Sequence, residues 1–139
     1  MKGCRKILVV ANSSIDAFKR CLRLISDEPA WVTVVKVVPN FEGDLHLTGI
    51  RNIKDVLDAA SEAEVTEISE AVLAERMPAK IRVIKGDILA EVRRLAEEER
   101  CDLIVLGRGK NHWLKDFFER KVLKKLINIA QCPVCVVNC

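Results

Sequence analysis

The sequence predicts an α/β fold: a doubly wound, five-stranded parallel sheet with helices on both faces. Five short apolar runs, rich in β-branched residues, alternate with four amphipathic segments along the chain. Most of the connections between them are short. Because parallel strands are joined by right-handed crossovers, this alternation places helices on both sides of the sheet. The natural strand order for such a chain is 3-2-1-4-5.

Length and composition set the class of protein. The 139 residues suit one domain, residues 1–139, and half of them are apolar while 31% are charged. This balance excludes a disordered or collagen-like chain. Aromatic residues make up only 4% and tyrosine is absent, so a stacking surface for nucleic acid is not expected. The net charge of +3 is too small to require a polyanionic partner.

The sequence also predicts a cytoplasmic protein. No apolar run approaches the roughly 20 residues that span a bilayer. The basic start is followed by only five apolar residues, Ile7 to Ala11, too few for a signal peptide. In a reducing compartment we expect the six cysteines to be small buried residues rather than disulfides: Cys4, Cys21, Cys101, Cys132, Cys135 and Cys139.

The first two strands are predicted at Lys6–Ala11 and Trp31–Val38, each apolar enough to be buried on both faces. Between them, Ser13 or Ser14 can cap a helix that ends near Asp27. Its apolar positions follow i, i+3, i+4, i+7 spacing: Phe18, Cys21, Leu22 and Ile25. Residues 39–51 contain two glycines and are predicted to form a surface loop.

A long helix is predicted from Asn52 to about Glu75, followed by a strand at Lys80–Lys85. The apolar spacing of the helix drifts in its middle, and its inward residues are Ile53, Leu57, Ala60, Val65, Ile68 and Val72. Gly86 then makes a tight turn and Asp87 caps the next helix. That helix presents one apolar face, formed by Ile88, Val92, Leu95 and Ala96.

The last two strands are predicted at Asp102–Leu106, ending at Gly107, and at Val134–Val137. A helix from about Leu114 to Ala130 connects them. Its buried face is expected to consist of Phe117, Phe118, Val122, Leu126 and Ile129.

The topology locates a candidate site before any motif is considered. Ligands of doubly wound sheets bind beyond the carboxyl ends of the strands where the strand order reverses, here between strands 1 and 4. The segments at that crevice are residues 11–14 and 107–113. Gly107 and Gly109 allow close backbone approach, so a small anionic ligand could rest there, although simple turn chemistry explains the same glycines.

Charge is distributed unevenly along the chain. Residues 108–125 hold seven basic and two acidic side chains, whereas residues 52–75 hold seven acidic side chains and one lysine. Such runs usually form solvated helix faces. The alternatives are an anion site at the crevice, or attraction between the basic and acidic helices of partner subunits.

The sequence offers no catalytic constellation. His46 and His112 have no nucleophile or metal-ligand companion nearby in sequence, and the common hydrolase, zinc-protease and P-loop motifs are missing. A phosphorelay receiver would need acidic residues after strand 1, where this chain has Ala11, Asn12 and Ser13. Cys132 and Cys135 are spaced as C-x-x-C, but at the start of a strand they would point to opposite faces.

Five segments together resemble the universal stress proteins of UspA type, over nearly the whole chain: Ile7–Ser14, Val34–Pro39, Gly86–Val92, Cys101–Lys110 and Cys132–Val137. The resemblance implies an adenine nucleotide alpha hydrolase-like fold, a cytoplasmic stress-response role and frequent dimerisation through the last strand.

Many members of that family bind ATP through a loop G-x-x-G-x9-G-[ST] after strand 4, with an Asp after strand 1 and strand 2 backbone around the adenine. Here the match is partial. Gly107 matches the first glycine of the loop, and Arg108 follows it. The second glycine of the loop corresponds to Lys110, because Gly109 comes one residue before that position. The final Gly-Ser falls on Arg120 and Lys121, the Asp on Asn12, and the strand 2 position on Val37.

These departures predict a non-enzymatic, dimeric stress-response module whose family-type ATP binding is weak or lost. The alternative is a member that still binds ATP or AMP, using basic side chains in place of the glycine loop. A third reading makes the basic last helix a docking face for nucleic acid or an acidic partner. The dimer is predicted because pairing Val134–Val137 with a second copy would protect an apolar edge strand.

Overall fold

The computed structural model describes residues 5–12, 14–27, 29–38, 53–108 and 120–138. These form five strands and four helices in strict alternation. The strands are β1 (Arg5–Val10), β2 (Ala30–Val38), β3 (Ala79–Lys85), β4 (Leu103–Arg108) and β5 (Val134–Asn138). The helices are α1 (Ile15–Ile25), α2 (Ile53–Ala74), α3 (Ile88–Glu98) and α4 (Arg120–Ile129).

All strand pairs are parallel and the strand order is β3-β2-β1-β4-β5. This confirms the predicted topology. β1 lies at the centre: Val10 is opposite Val35 of β2 on one side and Leu106 of β4 on the other. The order therefore reverses beside β1, where the two halves of the chain diverge.

Helices cover both faces, because alternate strand residues enter two separate apolar clusters. One face of the sheet packs against α1 and α2, through residues such as Phe18, Leu22 and Ile68. The other packs against α3 and α4, through Val92, Leu95 and Leu126. The predicted apolar positions of α1, Phe18, Cys21, Leu22 and Ile25, are all buried.

Both predicted helix caps in the described residues are present. The Ser14 hydroxyl accepts a hydrogen bond from the Ala17 amide at 3.2 Å, and the Asp87 carboxylate accepts one from the Ala90 amide at 3.0 Å. Just before Asp87, Gly86 has a φ of +149°, and an added Cβ would lie 3.0 Å from Glu91 Cγ. Glycine suits this turn because L side chains rarely adopt that conformation.

Three local expectations are corrected. β4 does not end at Leu106 but continues through Gly107 and Arg108, because β5 extends beside it as far as Asn138. Trp31, placed in a strand predicted to be buried, is 58% exposed, because it lies at the amino end of β2, where little packs against it. Cys135 is exposed rather than buried. Phe117 and Phe118 lie outside the described residues.

Removing the α3 cap tests this part of the fold. We expect Asp87→Ala to lower the free energy of unfolding by about 1 kcal/mol, because the Ala90 amide loses its acceptor. Urea denaturation monitored by circular dichroism measures the change. Asp87→Ser keeps a capping oxygen and should stay close to the wild type. Equal losses in the two variants would contradict the capping role.

Candidate functional site

The predicted crevice residues approach one another at the carboxyl end of β1. Ala11 and Asn12 follow β1, Val37 lies in β2, and Gly107 lies in β4. Since Val10 is opposite Leu106, the next residues along, Ala11 and Gly107, lie at the point where the strand order reverses. Ala11, Asn12, Val37 and Gly107 are all buried.

Three of the other predicted site residues lie in described elements. The backbones of Arg108, Arg120 and Lys121 are in β4 and at the start of α4, while their side chains are outside the described part. Ser13, Gly109 and Lys110 also lie outside the described residues. The histidines, His46 and His112, do as well.

Asn12 makes the most specific contact at the crevice. Its side-chain Nδ2 donates to the Val37 carbonyl at 2.7 Å, and its Oδ1 accepts from the Val37 amide at 2.9 Å. Both bonds are buried, and Asn12 is only 7% exposed. A side-chain amide therefore satisfies both backbone groups of Val37.

The reason lies in the β1–β2 ladder. The Ala11 amide still donates to the Val35 carbonyl at 2.8 Å, but β1 ends at Val10. In a parallel ladder the next backbone groups on that side of β2 belong to Val37, and they would be left open. The Asn12 side chain takes the place of the missing β1 backbone, so it extends the ladder by one step.

A cavity opens beside Asn12, on the face of the sheet that α1 and α2 cover. Its volume is about 260 Å³, and Asn12, Ser14, Lys36, Glu64 and Glu67 supply its polar lining. The Lys36 ammonium lies 2.6 Å from a Glu64 carboxylate oxygen, and the Lys36 side chain is 12% exposed. This ion pair joins β2 to α2 at the edge of the crevice.

Sequence reasoning missed Lys36 and Glu64. The signal was present, because Lys36 interrupts the apolar run of β2 and so had to find a partner near the core. Its partner could not be read from the sequence, since α2 carries several acidic residues.

Cys132 and Cys135, the two cysteines of the C-x-x-C spacing, lie in different surroundings. Cys132 precedes β5 and is partly buried, whereas Cys135 within β5 is exposed. Cys132 instead lines a cavity of about 250 Å³ together with Cys101. Burial raises the pKa of the Cys101 thiol to about 11, with the nearby Cys132 adding to the effect. Burial, and then Asp102, also raises the pKa of Cys132.

Within the described ranges, no three histidine, cysteine or acidic side chains are grouped so that they could hold a metal ion. No helix in the same ranges is long and apolar enough to cross a membrane.

Changing one atom of Asn12 tests the ladder extension. Asn12→Asp replaces the donating Nδ2 with an oxygen, so the buried Val37 carbonyl loses its donor. We expect the free energy of unfolding to fall by about 1–3 kcal/mol, measured by urea denaturation at pH 7.

Asn128→Asp is the matched control, because Asn128 is exposed on α4. It should change the free energy of unfolding by less than about 0.5 kcal/mol. If Asn12→Asp is as stable as this control, the Val37 hydrogen bonds do not hold the end of β1.

Three solved structures illustrate what the fold resembles. A universal stress protein family member from Burkholderia pseudomallei is 21% identical, with a TM-score of 0.69 over 99% of this chain and 98% of that one. A universal stress protein from Archaeoglobus fulgidus, in complex with dAMP, is 19% identical, with a TM-score of 0.61 over 97% and 98%. One from Arabidopsis thaliana with AMP bound is 15% identical, with a TM-score of 0.65 over 96% and 91%.

At these identities the structures establish a shared fold. No curated protein sequence matches the chain significantly. The sequence model of the universal stress protein family, however, matches residues 3–138, which is almost the entire length. The chain therefore belongs to the universal stress protein family.

Proposed function

We propose that this protein is a non-enzymatic, cytoplasmic stress-response module whose crevice does not hold ATP in the family manner. The observation that carries the proposal is the pair of hydrogen bonds between Asn12 and Val37. They occupy the two backbone groups of β2 that face the crevice.

An adenine ring held by a strand edge needs a free backbone carbonyl that accepts from its amino group. At Val37 both backbone groups are already used, by Oδ1 and Nδ2 of Asn12. An aspartate at this position could accept from the Val37 amide but could not donate to its carbonyl. The Asp expected from the family pattern would therefore leave an acceptor for the adenine amino group, and Asn12 removes it.

The sequence at the phosphate end supports the same proposal. Arg120 and Lys121 stand where the family loop has Gly-Ser, and both lie within α4. Glycine permits backbone to approach a phosphate closely, and serine supplies a hydroxyl ligand. Both properties are lost here, although the two basic residues bring positive charge.

The non-enzymatic part of the proposal rests on the chemistry of the crevice. The described polar groups there are the Asn12 amide, the Ser14 hydroxyl, the Lys36–Glu64 ion pair and the Glu67 carboxylate. General acid–base or nucleophilic catalysis needs a base within hydrogen-bond reach of a nucleophile. The ion pair already engages Lys36 and Glu64 with each other. Among the described residues, the Ser14 hydroxyl bonds to the Ala17 amide and not to Glu67.

The second candidate is an adenine nucleotide-binding member. The relatives from Archaeoglobus fulgidus and Arabidopsis thaliana hold dAMP and AMP, and the reversal point beside β1 is present in this chain. In this candidate the nucleotide would have to displace the Asn12 side chain from Val37.

Calorimetry separates the two candidates. For the wild type titrated with Mg-ATP or AMP, we expect weak binding, with a dissociation constant larger than about 1 mM. Asn12→Asp combined with Arg120→Gly and Lys121→Ser should bind at least about tenfold more tightly, because it restores the free carbonyl and the phosphate loop.

The loop variant alone, Arg120→Gly with Lys121→Ser, is the matched control and should remain weak. A micromolar dissociation constant for the wild type would overturn the proposal. Tight binding by the loop variant alone would show that Asn12 is not the obstacle.

We further propose a homodimer formed through the edge strand at Val134–Val137. β5 lies at one edge of the sheet. The Ile104 amide donates to the Pro133 carbonyl at 3.0 Å, so the backbone groups of Pro133, Cys135 and Val137 face β4. Those of Val134 and Val136 point outward, where a second copy can pair with them.

Blocking one outward amide tests the dimer. Sedimentation velocity at micromolar concentration should give a dimer for the wild type and a monomer for Val136→Pro, because proline has no N–H to donate. Val136→Thr keeps that amide and should remain dimeric. A monomeric wild type, or a dimeric proline variant, would count against pairing through β5.

A further inference from the structure

A larger cavity lies at the opposite end of the sheet from the crevice. Its volume is about 660 Å³, and it is bounded by the amino ends of β1, β2 and β3 and by the residues that follow α3. This volume falls within the range typical of small-molecule sites, about 300–1,000 Å³. The lining residues that matter here are Lys6, Trp31, Thr33, Lys80, Glu99 and Cys101.

The cavity exists because α3 ends before the strands beneath it do. Lys6 is opposite Trp31, and Thr33 is opposite Lys80, so these four residues lie on one face of the sheet. It is the face that α3 covers further along, at Val35 and Val37. Because α3 stops at Glu98, the amino ends of the strands are left without a helix above them.

Trp31 supplies an aromatic surface to this cavity. It is 58% exposed, which is unusual for the largest apolar side chain in a domain that buries its core well. An indole ring offers a flat face on which another ring can stack. Pro78 and Ala79 add to the apolar lining.

Thr33 supplies a buried polar group. It is 9% exposed, and its hydroxyl has no hydrogen-bond partner within the described part of the chain. Buried polar groups are nearly always paired, so an unpaired hydroxyl lining a cavity is a natural contact for a ligand oxygen.

The charge of the lining favours an anion. Lys80 and Arg82 both lie near Glu99, at 3.5 and 3.6 Å, so that carboxylate is already neutralised. Asp102 is engaged by the backbone amide of Lys6 at 2.9 Å. The Lys6 ammonium itself has no ion-pair partner in the described ranges. Asp102 keeps its charge, but Lys6, Lys80 and Arg82 together outnumber Glu99 and Asp102, so the charged groups around the cavity sum to one positive charge.

We propose that this amino-end cavity binds a small aromatic anion. The ring stacks on Trp31, the carboxylate or sulfonate is attracted to Lys6, and Thr33 donates a hydrogen bond to it. The volume suits a bicyclic ring system. The site is independent of the nucleotide crevice, because it lies at the other end of the same strands.

Energy transfer from Trp31 tests the site directly. In a Trp113→Phe background, Trp31 is the only tryptophan, since the chain has two. The probe is 1-anilinonaphthalene-8-sulfonate. We expect saturable binding with quenching of Trp31 emission, displacement by 2-naphthoate, and no displacement by the uncharged 2-methylnaphthalene. Bound probe should also slow alkylation of Cys101 at pH 9, read by peptide mass.

Variants assign the contacts. Lys6→Met should weaken binding about fivefold or more, because it removes the charge and keeps much of the apolar stem. Thr33→Val should weaken it by removing the hydroxyl. Lys124→Met, at an exposed position on α4, is the matched control and should bind like the parent. Unfolding curves for each variant check that the fold is intact.

Several results would overturn the proposal. These are no saturable binding, binding without quenching of Trp31, equal affinity in Lys6→Met, or displacement by the uncharged analogue. A concentration-dependent shift of Trp31 emission without probe binding would instead show that a second copy covers this face, and it would also overturn the proposal. Because Asn12 is not involved, failure here leaves the proposed function untouched.

Discussion

The structure depends on one constraint: β1 pairs in parallel on both of its sides while the chain connects its strands by right-handed crossovers. β2 and β4 flank β1. β3 extends the sheet beyond β2 on one side, and β5 extends it beyond β4 on the other. Because α1 and α2 lie on one face and α3 and α4 on the other, a gap must open beyond the carboxyl end of β1. The position of the crevice follows from that topology.

The residues that end β1 determine which backbone groups of β2 stay open beside the crevice. A parallel strand that stops short leaves the neighbouring strand with open amide and carbonyl groups. Such groups can form hydrogen bonds with a planar ligand, or another part of the protein can form hydrogen bonds with them. In this chain the Asn12 side-chain amide forms hydrogen bonds with both backbone groups of Val37. The chain therefore has the fold of its family, but the Val37 backbone groups beside the crevice already have hydrogen-bond partners.

Much of the fold could be predicted from the sequence. Strands that are buried on both faces produce apolar runs, and a helix cap is marked by a residue next to the start of the helix. The strand order, the Ser14 and Asp87 caps and the buried face of α1 are examples. Membership of the family was also predicted and is confirmed by the match over residues 3–138.

The remaining features depend on contacts between segments distant in sequence. Asn12 was identified as a departure from the family, but its bonds to Val37 span 25 residues and leave no local pattern. The same holds for the Lys36–Glu64 pair and for the extension of β4, which requires β5 beside it. Exposure of Trp31 depends on where α3 ends relative to β2, which no strand pattern records.

The most direct measurement is the nuclear magnetic resonance signal of the Asn12 side-chain amide, assigned by its loss in Asn12→Asp, during a titration with Mg-ATP. If Asn12 is held on Val37, the side-chain amide proton that is bonded to the Val37 carbonyl will exchange slowly with solvent, and the shifts of the side-chain amide will stay unchanged as ATP is added. Fast exchange in the free protein, or a saturable shift at micromolar ATP, would contradict the account.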